Sequence, residues 1–210
     1  MISGLASKKH TSDFVNERLP KAAVALGATG VTVSQAGFGG YRIQAGIAHH
    51  ADALEHALRS GINLIDTSAN YGDGASETLI GEVLGRLIGD GQLDRRALVV
   101  ISKVGYLQGQ NLTLAAEREH AGRPFKDVVP HGEGISHCIH PDFIEDQLTR
   151  SLARLQLTQL DGYLLHNPEY FLDHAHKKGR SVASARREYD ARIAAAFEQL
   201  EREVTTGRIG

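Results

Sequence analysis

Cysteine is nearly missing: Cys138 stands alone among 210 residues, so no disulfide can form within the chain, which suits a reducing compartment. Long apolar runs are missing too. None approaches the roughly 20 residues of a membrane span, and Met1 to Phe14 lacks the apolar core of a secretory signal. Nor is there a concentrated basic face, and a formal net charge of -2 argues against a nucleic-acid partner. These absences leave a soluble cytoplasmic protein with neither nucleic acid nor membrane as partner, and no pattern states its oligomeric state. What the chain has is material for one core. With 41% hydrophobic and 23% charged residues it can fold as one domain without disulfide or metal staples.

Three apolar, strand-like runs each end on one polar residue capable of chemistry: Ile62 to Asp66, Leu98 to Lys103, and Tyr163-Leu164-Leu165-His166. In a parallel sheet whose strands alternate with helices, all carboxyl ends face the same way. An acid, a base and an imidazole then share one rim, as in an enzyme.

Around these runs the pattern alternates. Leu26-Gly27 and Thr29-Gly30 lie between short apolar stretches, and Val31 to Ser34 alternates apolar with polar, which predicts a small hairpin. A strand at Ala36 to Gly40 follows. Ala53, Leu54, Ala57 and Leu58 recur at helical spacing between Ile47 and Arg59, and Ser60-Gly61 supplies the stop. Ser76 is placed to cap the next helix, with Leu79, Ile80, Val83, Leu84 and Leu87 on one buried stripe ended by Gly89 to Gly91. The strand Ala97 to Ile101 leads to Lys103, but no long helix comes next. Residues of about 105–140 read as a long functional loop insertion with one helical candidate, Leu112 to His120. Pro141 then opens a helix with Phe143, Ile144, Leu148, Leu152 and Leu155 on one face. Leu160 to Leu165 is the fourth strand. A mobile polar connection with Lys177, Lys178, Arg180 and Ser181 precedes a last helix, Ala185 to Val204, with Ile193, Phe197, Leu200 and Val204 inward. Arg186, Arg187, Glu198, Glu201 and Arg202 make its solvated face, and Gly207 to Gly210 begins another strand.

Strand and helix alternate about four times, each strand apolar on both faces as a covered parallel sheet requires. A complete eight-unit barrel needs about 250 residues. The expected fold is therefore α/β, of the (β/α)8 TIM-barrel type but incomplete: about the first four βα units plus an N-terminal hairpin. Residues 1–24 are expected to be an N-terminal extension and 25–210 the partial barrel, its remainder lying past Gly210.

Four segments, in order, resemble the N-terminal part of an aldo-keto reductase. Leu26 to Ser34 followed by Gly37-Phe38-Gly39-Gly40-Tyr41 resembles the family's bottom hairpin and first strand. Asn63-Leu64-Ile65-Asp66-Thr67-Ser68-Ala69-Asn70-Tyr71-Gly72 with Ser76-Glu77 is similar to its Asp-Thr-Ala-x-x-Tyr-Gly signature. Ile101-Ser102-Lys103 and Leu164-Leu165-His166-Asn167-Pro168 resemble the other two catalytic segments, and Ser151 to Leu155 before Asp161 fits the approach to that histidine.

The resemblance implies hydride exchange between NADP(H), with NAD(H) possible, and a small-molecule carbonyl or alcohol: an aldehyde, ketone or sugar. Reducing a carbonyl needs hydride on carbon and a proton on oxygen. Tyr71 is implied as the proton donor; a free phenol, of pKa about 10, is reluctant at neutral pH, and a cation makes its phenolate less costly. Lys103 is that cation, Asp66 the carboxylate that keeps it charged and directed, and His166 the neutral imidazole that orients the substrate oxygen. Gly39, Gly40, Tyr41, Asp66 and Asn167 are implied cofactor contacts. Gly37-Phe38-Gly39-Gly40 is not the Gly-x-Gly-x-x-Gly fingerprint and opens no nearby helix. In the family the cofactor phosphates are held by loops after the late strands, which are absent here, so weak or absent cofactor binding is expected.

Two other classes compete: a non-catalytic module that senses cofactor or regulates on the same fold, and a metal-dependent barrel hydrolase. The latter's usual His-x-His at the first strand's end is replaced by Gly39-Gly40-Tyr41. His120, His131, His137, Cys138, His140, His174 and His176 lack the compact paired spacing of structural zinc, so no metal is expected, and the loops that carry them shape the substrate pocket.

Overall fold

The computed structural model describes residues 1–210. In chain order the elements are α1 (Lys8–Arg18), β1 (Ala23–Ala25), β2 (Thr32–Ser34), β3 (Phe38–Gly39), α2 (Ala48–Arg59), β4 (Leu64–Asp66), α3 (Ala75–Gly89) and β5 (Val99–Val104). Then come β6 (Tyr106–Leu107), α4 (Gln110–His120), β7 (Val129–Gly132), β8 (Ile135–His137), α5 (Pro141–Leu155), β9 (Gly162–Leu165), α6 (Tyr170–Lys177) and α7 (Val182–Thr205). β3, β4, β5 and β9 pair in that order, all parallel, into an open sheet. The fold is α/β with α3 and α5 packed on one face of the sheet, and the sheet does not close on itself. Beyond β9, Ile209 makes a single parallel bridge to Leu160.

The hairpin β1–β2 and α1 sit at the amino ends of the strands, tied there by two buried polar side chains. Asn63 accepts from the Ser34 N–H at 2.9 Å and donates to the carbonyls of Thr32 and Ala97 at 3.1 and 3.0 Å. Asp161 accepts from the N–H groups of Ala6 and Val100 at 2.6 and 2.7 Å and pairs with buried Arg95 at 2.8 Å. A buried ion pair holds only when its remaining lone pairs are satisfied, and backbone donors do that here.

The helical stripes expected for α3 and α5 are buried throughout, including Leu79, Ile80, Val83 and Leu84 against Phe143, Ile144, Leu148 and Leu155. Each such side chain contributes about 1.5–3 kcal/mol by leaving water. Pro141 stands at the start of α5, where its missing N–H costs nothing.

Several expectations need correcting. Ser76 is no cap. Gly74, left-handed at φ 92, precedes α3, and Ser76 inside the first turn donates to the Gly40 carbonyl at 2.8 Å, a tertiary bond that outranks a local one. Ala53 faces solvent on α2. Phe197 and Val204 are 53% and 48% exposed on α7, while Gln199 and Glu203 are buried. Those two can go inside because Gln199 donates to Glu203 at 2.7 Å, so polarity misleads the helical count. The supposed loop of 105–140 is folded, with α4 and a three-stranded antiparallel sheet in the order β6-β8-β7. Of the residues of the polar connection, Lys177 ends the helix α6, while Lys178, Arg180 and Ser181 lie between α6 and α7.

Where α3 crosses α5, Gly81 lets the backbones touch: a Cβ there would clash with the Arg154 carbonyl oxygen and lie 2.9 Å from the Leu155 Cα. Backbone cannot give way cheaply. Gly81→Ala is expected to lower unfolding free energy by about 1–3 kcal/mol in urea titrations; an unchanged midpoint would refute this account of the crossing.

Candidate active site

The strand register prepares the site. Asp66 pairs with Ile101, and Lys103 with Leu164, so Asp66 and Lys103 fall on the same face of the sheet, two residues apart along it. The Lys103 ammonium has three protons and three acceptors. It donates to Asp66 Oδ1 at 2.5 Å, to the Thr67 carbonyl at 2.8 Å and to Tyr71 Oη at 3.3 Å. The lysine side chain is 12% exposed and the aspartate 44%, so the charge that is harder to desolvate alone is held by the more hydrated one. On the opposite face of β5, Ser102 donates to fully buried Glu77 at 2.5 Å, and Glu77 pairs with Arg154 at 2.6 Å.

Tyr71 enters this cluster from a tight turn. Gly72, Asp73 and Gly74 are all left-handed, at φ 57, 54 and 92. For Asp73, which has a Cβ, this stores on the order of 1 kcal/mol. The Tyr71 ring lies edge-on between Tyr41, at 5.2 Å between centroids, and His166, at 6.0 Å.

His166 follows β9 and extends its ladder, its N–H donating to the Val104 carbonyl at 2.8 Å. Its Nδ1 is 3.2 Å from Ser68 Oγ. Burial lowers its pKa, helped by the positive charge of Lys103 and by His137. His137 is also held below the usual imidazole range, chiefly by burial, and its Nε2 donates to the His166 carbonyl at 2.6 Å. Tyr106 meets His166 edge-on at 4.8 Å. Burial, then a hydrogen bond with Tyr170, pushes the Tyr106 phenol up.

Asp66, Tyr71, Lys103 and His166 therefore stand together. The expected cofactor contacts fall less uniformly. Gly39 faces open space on the same side of the sheet as Asp66, and Tyr41 is 66% exposed beside the rim. Gly40 is buried, and a Cβ there would lie 2.6 Å from Ser76 Oγ, so packing explains that glycine. Asn167, left-handed at φ 52, accepts from Tyr106 Oη at 3.1 Å and donates to Glu169 at 2.9 Å. That donation lowers the Glu169 pKa. A cavity of about 720 Å³ opens over Tyr71, lined also by Tyr41, Arg42, Tyr106, Gln108 and His166. Its polar lining and the free backbone at Gly39 fit the nicotinamide end of a dinucleotide.

Of the insertion's histidines and cysteine, His131 stacks on Tyr170 at 3.5 Å, and Cys138, its thiol raised to about 12 by burial, donates to the Lys126 carbonyl. Sequence reasoning does not single out Ser68 or Tyr106, and it names His137 only among the histidines of the pocket-shaping loops, without its contact to His166. Tyr106 follows Lys103 by three residues, and that proximity was the one available signal.

Residues 37–210 match the Aldo/keto reductase family profile. The chain belongs to that family. It is similar to the NADH-specific methylglyoxal reductase of Escherichia coli (strain K12), 30% identical over 151 residues, 68% of this chain and 41% of that protein. It is also similar to the L-galactose dehydrogenase of Arabidopsis thaliana, 30% identical over 146 residues, 66% and 44% of the two chains. An aldo-keto reductase from Bacillus halodurans, solved in its holo form, shares the fold with TM-score 0.59 at 21% identity, covering 89% of this chain and 47% of that one. The chain spans less than half the length of the curated relatives it matches. Its open sheet is a four-stranded arc of the family's TIM-barrel type of fold. No helix is long and apolar enough to cross a membrane.

The lowered histidines give a pH dependence of definite sign. Between their folded values and the ordinary 6.5, the unfolded chain binds protons that the folded chain refuses. Stability is full above about pH 6.5 and declines as pH falls through the folded values. Urea midpoints at about pH 7.5 and 5.5 test this. The gap between them is expected to shrink in His137→Gln, and an undiminished gap would remove His137 from the account.

Proposed function

We propose that Asp66, Tyr71, Lys103 and His166 form the proton-transfer site of an NAD(P)H-dependent reductase of aldehydes, ketones or sugar carbonyls, which also oxidises the alcohols. The observation that carries this is the Lys103 ammonium, its three donors taken by a carboxylate, a carbonyl and the Tyr71 phenol oxygen. A bound nicotinamide supplies the hydride for the carbonyl carbon. Tyr71 gives its proton to the carbonyl oxygen, and the ammonium beside it stabilises the phenolate left behind. Asp66 keeps that ammonium charged and aimed.

His166 steers the substrate oxygen, and Ser68 determines how. If Ser68 donates to Asn70 Oδ1, 2.5 Å away, the imidazole must carry its proton on Nδ1. With the Asn70 amide turned over, Ser68 donates to Nδ1 and Nε2 holds the proton, as a donor to substrate oxygen requires.

Gly39, Tyr41 and Asp66 border the space for the nicotinamide, and Asn167 would reach it by exchanging its present partners. NADP(H) is proposed by family habit, with NAD(H) the alternative that the NADH-specific relative supports. A substrate among small polar carbonyl compounds and sugars is supported by the names of the two relatives, a methylglyoxal reductase and an L-galactose dehydrogenase. The competing sensor module would bind cofactor without turning over substrate.

Turnover is followed as loss of NADPH or NADH absorbance with methylglyoxal or a generic aldehyde. Tyr71→Phe is expected to lower kcat by about 10²-fold or more with cofactor affinity retained, and Lys103→Met by a comparable factor. Measurable turnover that is equal in Tyr71→Phe and the unchanged protein would defeat the assignment.

A further inference from the structure

β5 touches both residues, through Lys103 on the Tyr71 phenol and the Val104 carbonyl on the His166 N–H, and both also lean on the insertion between Lys103 and Pro141. On one side, Asp73, two residues past Tyr71, accepts the Gln110 N–H at 3.1 Å, and the Gln110 side chain donates to the Asp73 carbonyl at 2.6 Å. On the other, His137 of β8 donates to the His166 carbonyl at 2.6 Å. Each contact lies against a glycine that leaves room for it. A Cβ at Gly105 would lie 2.5 Å from both His137 Nε2 and the His166 carbonyl oxygen, and a Cβ at Gly109 would lie 2.5 Å from the Asp73 carboxylate. The two contacts belong to one folded unit, because β6 pairs with β8 and α4 begins at Gln110, shortly after β6.

We propose that this insertion is a brace that fixes the Tyr71 phenol relative to the His166 imidazole, with Asp73 and His137 as positioning residues. The proposal rests on the roles given above to Tyr71 and His166. Three consecutive left-handed residues after Tyr71 are not a turn that keeps its shape unaided, and the Asp73 latch onto α4 supplies the restraint. Reaction geometry is sensitive to displacements near 1 Å, so the brace acts on kcat and leaves substrate affinity alone.

The test has a readout independent of activity: nuclear Overhauser contacts between the Tyr71 and His166 rings in the isotope-labelled full chain. They are expected to weaken about threefold or more in Asp73→Ala and in Gly105→Ala. They are expected to survive in Asp73→Asn, which keeps an acceptor oxygen and tolerates the left-handed backbone. Gly132→Ala, in the same insertion with open space around it, is the control. Unchanged contacts in a folded Asp73→Ala would overturn the brace, and this exposed position decides the matter should Gly105→Ala not fold. In turnover, Asp73→Ala is expected to lose about tenfold or more in kcat with KM unchanged, restored by Asp73→Asn. A raised KM at unchanged kcat would also overturn it. Contacts that behave as expected in a protein without turnover would leave the brace standing and defeat the catalytic reading instead.

Discussion

One ammonium group organises this molecule. The Lys103 side chain is largely out of water, and a lone charge there would be costly or would be lost. Its acceptors come from the strand end at Asp66, the next residue's carbonyl and the turn at Tyr71. Satisfying it therefore requires β4, β5 and the Tyr71 turn to be in register at the same time. The other face of β5 has its own polar demand, since Ser102 must reach Glu77, itself paired with Arg154. A slip of one residue would exchange Ser102 and Lys103 between faces and leave both networks broken. Polar chemistry on both faces makes this strand the reference for the rest.

Around that reference the insertion adds a wall of aromatic and imidazole rings. Hydrogen bonds run from Tyr170 to Tyr106 to Asn167 to Glu169, while His137 holds the backbone of His166. Burial disfavours charge on both histidines, and the neighbouring ammonium adds to this at His166. The result is an ammonium bonded to three acceptors beside two imidazoles whose protonation burial disfavours.

What was legible in the sequence follows from local rules. Asp66, Lys103 and His166 stood out because each ends an apolar run, and Tyr71 through the signature it shares with the family. The stripes of α3 and α5 are readable because their large buried side chains, Leu79 to Leu87 and Phe143 to Leu155, follow the helical period. α7 was misread at Phe197 and Val204 because Gln199 and Glu203, bonded to each other, take inner positions that polarity would deny them. The small sheet in the insertion left no pattern: its strands are two to four residues long and carry His131, His137 and Pro130. Such strands persist through contacts of their Tyr106, His131 and His137 with Tyr170 and His166, which lie outside the insertion.

Sequence by itself determined the alternation of strand and helix, and which four residues would stand at strand ends or just beyond. Periodicity and strand polarity are local properties, written wherever side chains repeat at 2 or 3.6 residues. Tertiary structure alone decided that Lys103 uses all three of its protons, that Ser68 adjoins the imidazole, and that a folded insertion grips both Asp73 and His166. Those outcomes depend on hydrogen-bond partners up to 98 residues apart, and no local pattern records which donor will meet which acceptor once the chain is packed.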